Sequence, residues 1–457
     1  MSTKIARRLH LSLSPDVFPS IPSQLSIVED DFMEAHQQAP VISVRLNPRK
    51  PTNLFAENER VPWCTEGRYL NERPAFIYDP LLHAGCYYVQ EASSMFLAEA
   101  LKQHADLDQK LCVLDLCAAP GGKSTLAASL LSDESLLLSN EVMPNRASIL
   151  CENLVKWGQS NTWVSQSDPK QFGALGAMFD IMLVDAPCSG SGLFRKQPDF
   201  AAEWNLDLVN QCAIRQQKIL QDALPSLKQE GLLIYMTCSF CVEENEQMVD
   251  WILATGEYES LPMKEVSQWG IVETQSELHG GYGYRFFPHF LKGEGFFLSV
   301  FRKTASSFDN TPSVDARMPM SKSEAAILAN YMDMKGMLPI LHHDQLMVIQ
   351  EAHYPYIKAF GASVKLIKRG MLAGKMIRNE LIPDHELALS SSIRKSLPAV
   401  ELSREEALTY LRRGSLCLDT HQKGWLLARY QQQNLGWVKH LGNRTNNYYP
   451  THYRILT

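Results

Sequence analysis

The chain has 457 residues, 45% of them hydrophobic and 21% charged, with a formal net charge of −6. That is more core material than one hydrophobic core organises, so about two to four globular domains are expected. The same figures exclude a long disordered polymer, a membrane-spanning chain, because no apolar run approaches a bilayer span, and a protein that coats nucleic acid through excess positive charge alone.

The ten cysteines, with a start (Met1 to Arg8) that lacks a signal peptide's apolar core, read as reduced thiols in a cytoplasmic protein. Positive charge is local rather than global. Arg45, Arg49 and Lys50 form one cluster, Arg195 and Lys196 another, and Lys365, Lys368, Arg369, Lys375 and Arg378 a third. Any one of them taken singly is most often a solvated face.

In chain order, residues 1–86 read as a small α+β unit, with a helical pattern from Leu25 to His36 and a strand-like run from Val41 to Leu46. From Tyr87 to Ala100 the spacing turns helical, with Met95, Ala98 and Leu101 on one face. A strand over Leu111–Leu116 then enters a turn of small residues, Cys117, Ala118, Ala119, Pro120, Gly121, Gly122 and Lys123, and a helix begins over Ser124–Leu131. Strand, glycine turn and helix start in that order suit a nucleotide-type ligand. Glycine admits close backbone approach, and the helix end offers unpaired amides. The next strand, Leu136–Val142, carries Glu141 about twenty residues past the glycines, where an acid reaches ribose hydroxyls in doubly wound folds. The bland alternative makes Glu141 a cap neighbour of the helix entered at Pro144.

The alternation continues with helix Pro144–Trp157, strand Thr162–Gln166 closing near Asp168, strand Phe179–Val184, helix Leu208–Leu227, strand Gly231–Met236 and helix Glu244–Ala254. A late strand, Gly295–Phe301, is expected to pair at the end of the sheet. Repeated β-then-α units predict a parallel sheet over residues 87–303. Residues 304–321 lack apolar periodicity and read as a linker. Residues 322–388 form a small mixed unit that holds the third basic cluster. The last unit, 389–457, opens with a capping box at Ser403 and Glu406, followed by strand-like runs Ser415–Asp419, Gly424–Tyr430 and Gly436–Val438. Its end, with Trp437, Arg444, Tyr448, Tyr449 and Arg454, suits base stacking and phosphate contact, although aromatics in a small β unit are more often core.

One stretch organises the rest. Phe179 to Gly192 is a short apolar run that breaks into Asp185, Pro187, Cys188 and a small-residue loop, so a carboxylate and a thiol emerge together at a strand end. A space-filling cysteine beside a capping Asp is the alternative, and a second strand that ends in Thr237-Cys238-Ser239 weighs against it. Methylation of cytosine at carbon 5 needs such a set. That carbon becomes nucleophilic only after a thiolate adds to carbon 6 and an acid protonates the ring nitrogen.

The runs Cys117–Lys123, Asp185–Gly190, Thr237–Ser239 and Glu243–Glu246, with Tyr87–Met95 upstream, resemble the Nop/Sun family of RNA cytosine-5 methyltransferases. Arg285–His289, Gly293–Phe297, Leu435–Lys439 and Leu441–Arg444 are similar to its bacterial branch that modifies small-subunit ribosomal RNA. The resemblance covers most of the chain and is weakest over about residues 305–390. It implies an α/β, Rossmann-like methyltransferase domain between an RNA-binding α+β N-terminal unit and a PUA-like RNA-binding C-terminal domain, in a monomer without metal or membrane. It implies an S-adenosylmethionine site lined by Cys117, Ala118, Ala119, Pro120, Gly121, Gly122, Lys123, Glu141, Asp168 and Asp185. Cys238 then matches the nucleophile and Cys188 the cysteine that assists product release. Asp185 acts at ring nitrogen 3 and is oriented by Lys123.

The Thr-Cys strand, with no Glu-Asn-Val acid motif after Cys188, favours RNA over DNA. Transfer RNA stays open as a substrate, as do a small-molecule methyltransferase on the same fold and a catalytically weak assembly factor. Cys241 departs from the family pattern. It completes a C-x-x-C with Cys238, for which a zinc or redox site is the rival reading, unaccompanied by a second such pair.

Overall fold

Strands whose side chains are buried on both faces build the centre of the molecule, which is why they appear in the sequence as unbroken apolar runs rather than as alternation. The computed structural model describes residues 21, 25, 29–197, 201, 204–312, 322–361, 363–378 and 380–456. Its first sheet holds β1 (Ile42–Leu46), β2 (Arg60–Val61), β3 (Cys64–Leu70) and β4 (Tyr87–Val89), in the order β2-β3-β1-β4. The central sheet holds β5 (Cys112–Asp115), β6 (Leu136–Asn140), β7 (Thr162–Ser165), β8 (Phe179–Asp185), β9 (Leu227–Thr237), β10 (Tyr258–Leu261), β11 (Val272–Gln275), β12 (Tyr282–Phe286) and β13 (Phe296–Lys303). Strands β7, β6, β5, β8 and β9 lie side by side and parallel. On the far side of β9 the strands β13, β12 and β11 continue antiparallel, with β10 also paired to β13.

Neighbouring residues of each parallel strand feed opposite layers. Val113, Ile181, Leu183, Ile234 and Met236 pack with helices Leu97–His104 and Gly122–Leu130 and with Trp63 of the turn between β2 and β3. Leu114, Met182, Val184, Leu233 and Tyr235 pack on the other face with helices Leu206–Ala223, Glu246–Leu253 and Tyr354–Gly361. Each such side chain, fully buried, contributes about 1.5–3 kcal/mol. These two layers cover the central strands on both faces.

Beyond the centre, β14 (Met337–His342) and β15 (Gln345–Gln350) are followed by β16 (Leu366–Lys368), β17 (Met371–Ile377) and β18 (Glu380–Pro383). Strand β16 pairs antiparallel with β7, so the segment 322–388 lends a strand to the central sheet as well as forming its own β14-β15-β17-β18 sheet. The last sheet holds β19 (Ala399–Glu401), β20 (Gly424–Tyr430), β21 (Gln433–His440) and β22 (Thr445–Asn447).

Several expectations are corrected. Tyr87–Val89 is a strand, not the start of a helix, because its pairing with β1 completes the first sheet; regular α-helix begins only at Leu97. The strand expected over Gly295–Phe301 at the sheet's end is β13, which lies inside the sheet, since β11 and β12 add a hairpin whose alternation is too short to stand out. Ser415–Asp419 forms no strand; of its side chains only Leu416 is buried. The helix expected from Leu25 runs over Glu29–Gln37, and residues 26–28 and the linker's 313–321 lie outside the described residues.

Two of the basic clusters hold cations that organise the interior. Arg45 donates to Gln90 Oε1 at 2.7 Å and Thr125 Oγ1 at 2.6 Å and stacks on Trp157, while Lys50 donates to the Ala84 and Lys156 carbonyls. Arg195 pairs with Glu294 at 2.9 Å, both buried. The same logic holds Arg285 of β12 against Glu246. Their double hydrogen bond is buried, Thr274 donates to Glu246 Oε1 at 2.7 Å, and Arg285 Nη1 donates to the Phe240 carbonyl at 2.7 Å. Removing one partner strands the other's charge in the interior. Arg285→Met is therefore expected to cost about 3–5 kcal/mol in urea denaturation, and the double variant Glu246→Leu/Arg285→Met to recover most of it.

Candidate active site

The order β7-β6-β5-β8-β9 reverses direction between β5 and β8, and at such a switch point the carboxyl ends of the strands open a crevice for a ligand. The residues that the sequence assigns to catalysis and cofactor binding lie on this edge. The glycine turn leaves β5, Glu141 follows β6, Asp168 follows β7, Asp185 ends β8, and Cys238 follows β9.

Gly121 has φ +112°, a backbone state that side chains rarely adopt, and helix Gly122–Leu130 starts beside it with no side chain capping its first amides. A cavity lined by Tyr88, Gln90, Glu91, Ser94, the turn Cys117–Pro120, Gly122, Lys123 and Asp185 lies over that helix start. Beneath the turn, Asp115 is wholly buried. Ser124 donates to its Oδ2 at 2.6 Å, and Oδ1 has no hydrogen-bond partner. Burial pushes its carboxyl up to about 7 against the pull of Ser124. Glu141 is buried too, with one oxygen accepting the Met143 amide at 2.9 Å and the other 3.1 Å from Arg146 Nη1. Asp168, exposed, caps helix Pro169–Gly173 through a capping box with Gln171.

Lys123 Nζ lies 2.7 Å from Asp185 Oδ2. Burial alone would lower the ammonium's pKa, but the charge and hydrogen bond of Asp185 outweigh it, so Lys123 stays above its ordinary value. The two sulfurs meet across adjacent strand ends, Cys188 Sγ 3.0 Å from Cys238 Sγ, both partly accessible. The hydrogen bond with Cys238 holds the Cys188 thiol well above its ordinary pKa, helped by burial and by the charges of Cys238 and Glu244.

The two loops are sewn together. Gly192 N–H donates to the Cys238 carbonyl at 2.8 Å, in a space a Cβ on Gly192 would fill, and Phe240 N–H donates to Ser191 Oγ at 2.8 Å. The run Glu243–Glu246 packs behind them. Asn245 accepts from Thr237 Oγ1 at 2.6 Å and donates to the Ser239 carbonyl at 2.8 Å, gripping both neighbours of Cys238. Cys241 belongs to a buried apolar cluster with Phe32, Phe194 and Phe240. Sequence reasoning misses Asp115, whose one signal is an ionisable residue inside an otherwise apolar strand. The run Glu243–Glu246 stands out in the sequence only through a resemblance, which assigns no work to its individual residues.

Three family models match the chain: 16S rRNA methyltransferase RsmB/F over residues 81–302, the N-terminal domain of 16S rRNA methyltransferase RsmF over 18–92, and the methyltransferase RsmF PUA domain over 397–455. The ribosomal RNA small subunit methyltransferase F of Shewanella sp. (strain ANA-3) is 30% identical over 465 residues, 94% of each chain. That of Escherichia coli O7:K1 (strain IAI39 / ExPEC) is 30% identical over 478 residues, 96% of each. Among solved structures, a methyltransferase homolog protein from Pyrococcus horikoshii is 30% identical with a TM-score of 0.50, over 60% of this chain and 90% of that one. NSun6 from Pyrococcus horikoshii with SFG, at 21% identity, shares the fold with a TM-score of 0.51 over 61% of this chain and 94% of that one.

Asp115 yields a test of the site's electrostatics. A carboxyl whose folded pKa of about 7 exceeds its ordinary 3.8 stabilises the fold fully below about pH 4, and that contribution is lost as pH rises through 7. Asp115→Asn keeps an acceptor or donor for Ser124 and removes the titration. Its stability relative to the unaltered chain is expected to improve between pH 5 and pH 8, read by urea denaturation at both.

Proposed function

The chain belongs to the ribosomal RNA small subunit methyltransferase F family, and on that premise we propose that it transfers a methyl group from S-adenosylmethionine to carbon 5 of a cytosine in 16S ribosomal RNA. The observation that carries the chemistry is the pair of sulfurs 3.0 Å apart beside the Lys123–Asp185 pair. A metabolite methyltransferase needs neither cysteine, and a non-catalytic assembly factor has no use for their closeness. The family supports the cytoplasm as the site of action.

The residues present fit the cofactor. An orphaned buried acceptor on Asp115 and an uncapped helix start suit a ligand that carries both an ammonium and a carboxylate, and the Glu141 carboxylate suits ribose hydroxyls. The turn Cys117–Lys123, Asp115, Glu141 and Asp185 would hold it, with Asp168 at the crevice edge. When bound, its sulfonium supplies the methyl group.

The chain's own groups perform the rest. Cys238 as thiolate adds to carbon 6 of an unpaired or flipped cytosine, while the Lys123–Asp185 pair supplies proton and countercharge at ring nitrogen 3. Carbon 5 thereby becomes nucleophilic. Once Cys238 is bonded to carbon, its hydrogen bond with Cys188 and its charge are gone, and with them the main reason Cys188 held its proton. Cys188 sheds that proton to water and takes the one from carbon 5, Cys238 departs as thiolate, and ring nitrogen 3 returns its proton to the Lys123–Asp185 pair.

The C-terminal unit supports RNA as the partner. Trp437 and Tyr449 are core, but a groove lined by Arg412, Arg413, Arg454, Asn446 and Asn447 has no carboxylate in its lining, a surface suited to phosphates.

The two cysteines must therefore fail differently. With S-adenosylmethionine and 16S RNA, Cys238→Ala is expected to lose 5-methylcytosine formation by about a thousandfold or more and to form no covalent complex. Cys188→Ala is expected to methylate once and stay attached, giving a cofactor-dependent band on a denaturing gel. A trapped complex in Cys238→Ala and none in Cys188→Ala would reverse the roles.

A further inference from the structure

Behind the sulfurs stands a carboxyl that touches neither of them. Glu244 is wholly buried. Its Oε1 accepts the Ser189 backbone N–H at 2.8 Å and the Gln216 amide at 3.0 Å, and its Oε2 accepts the Ser189 hydroxyl at 2.5 Å. The same Gln216 amide donates to the Pro187 carbonyl at 3.1 Å. Both chain neighbours of Cys188 are thus gripped, Ser189 by Glu244 and Pro187 by Gln216, and the two gripping side chains are bonded to each other. Tyr235, in β9, fixes the pair from below, its hydroxyl 2.8 Å from both Gln216 Oε1 and the Glu244 carbonyl oxygen. The Ser189 hydroxyl also lies 3.4 Å from that of Ser239, the residue after Cys238, so the clamp reaches both loops.

We propose that Glu244, acting with Gln216, is the positioning residue that holds Cys188 in place to accept the carbon 5 proton, a role that rests on the assignment of the two cysteines above. Cys238 does not depend on this clamp in the same way, since Asn245 holds its neighbours Thr237 and Ser239. Loss of Glu244 therefore slackens chiefly Cys188, since on the Cys238 side it meets only the Ser239 hydroxyl, while Asn245 still holds Thr237 and the Ser239 carbonyl. A buried carboxylate facing only donors is a costly device for filling space, because burial pushes its own carboxyl up while Ser189, Ser239 and Gln216 pull it down. The negative charge so held also opposes ionisation of Cys188, which makes its thiolate the stronger base.

The test runs the full chain with S-adenosylmethionine and 16S RNA, comparing Glu244→Ala, Glu244→Gln and Cys188→Ala on a denaturing gel, with 5-methylcytosine counted in the same samples. Glu244→Gln keeps the clamp, since its carbonyl accepts from Ser189 N–H and Gln216 while its amide donates to the Ser189 hydroxyl. Glu244→Ala is expected to raise the adduct remaining per methyl transferred by about tenfold or more with cofactor affinity unchanged, and Glu244→Gln to stay within about threefold of the unaltered chain. If Glu244→Ala does not fold, Gln216→Ala removes the grip on Pro187 and carries the same readout.

A ratio unchanged in Glu244→Ala, with only activity and melting temperature lowered, would overturn the proposal. So would Glu244→Gln trapping as much adduct as Glu244→Ala. If Cys188→Ala traps nothing, the assignment of the cysteines has failed; if it traps adduct and Glu244→Ala does not, the Glu244 proposal alone has failed.

Discussion

Two thiols with their sulfurs 3.0 Å apart at the end of a buried sheet cannot both be ionised at neutral pH. At that distance two unit charges repel by roughly 5 kcal/mol even at an effective dielectric constant of 20, equivalent to about four pK units. At least one of the two therefore keeps its proton, and in the mechanism proposed above the order of events follows from which one does. On the proposed assignment, Cys188 is the one that keeps its proton while Cys238 is free. On that same assignment, bonding of Cys238 to carbon removes the repulsion and lets Cys188 act. A single distance thus times a sequence of steps, provided that it is held.

Much of the structure near the edge serves that distance. Parallel strands β8 and β9, packed on both faces, deliver the two loops side by side, and hydrogen bonds from Gly192 and Phe240 sew them together. Behind them, Glu244 grips the Cys188 loop, Asn245 grips the Cys238 strand end, and Glu246 anchors Arg285 of β12. A buried polar network of this kind gives little net stability, but it has one satisfied arrangement and many unsatisfied ones, so it specifies geometry.

The sheet was legible in the sequence because strands buried on both faces leave continuous apolar runs, and the glycine turn because its backbone state excludes most side chains. The edges of the fold were harder. Tyr87–Val89 carries aromatic spacing that suits a helix as well as a strand, and only its pairing with β1, over 40 residues earlier in the chain, decides between them. Strand β11 is short and carries exposed Glu273 and Gln275, and β12 has only five residues, with Gly283 and Arg285 among them, so neither leaves an apolar run to notice. Within the site, Cys188, Cys238, Asp185 and Lys123 are recognisable as residue types that bear chemistry. Asp115 and Glu244 act through burial and through partners far away in sequence, which no local spacing records. The clusters containing Arg45, Lys50 and Arg195 misled in the opposite sense, since cations that look solvated in a sequence turn out to be satisfied inside.

The identity of the attacking sulfur is the point on which the mechanism stands, and it can be read directly. RNA substrate carrying 5-fluorocytidine at the target position holds fluorine where the departing proton would be, so elimination is blocked and the adduct persists in the unaltered protein. Digestion of that complex and mass spectrometry of the cross-linked peptide is expected to place the nucleotide on Cys238, within the peptide that contains Thr237 and Ser239. Attachment at Cys188 would contradict the division of labour between the two sulfurs.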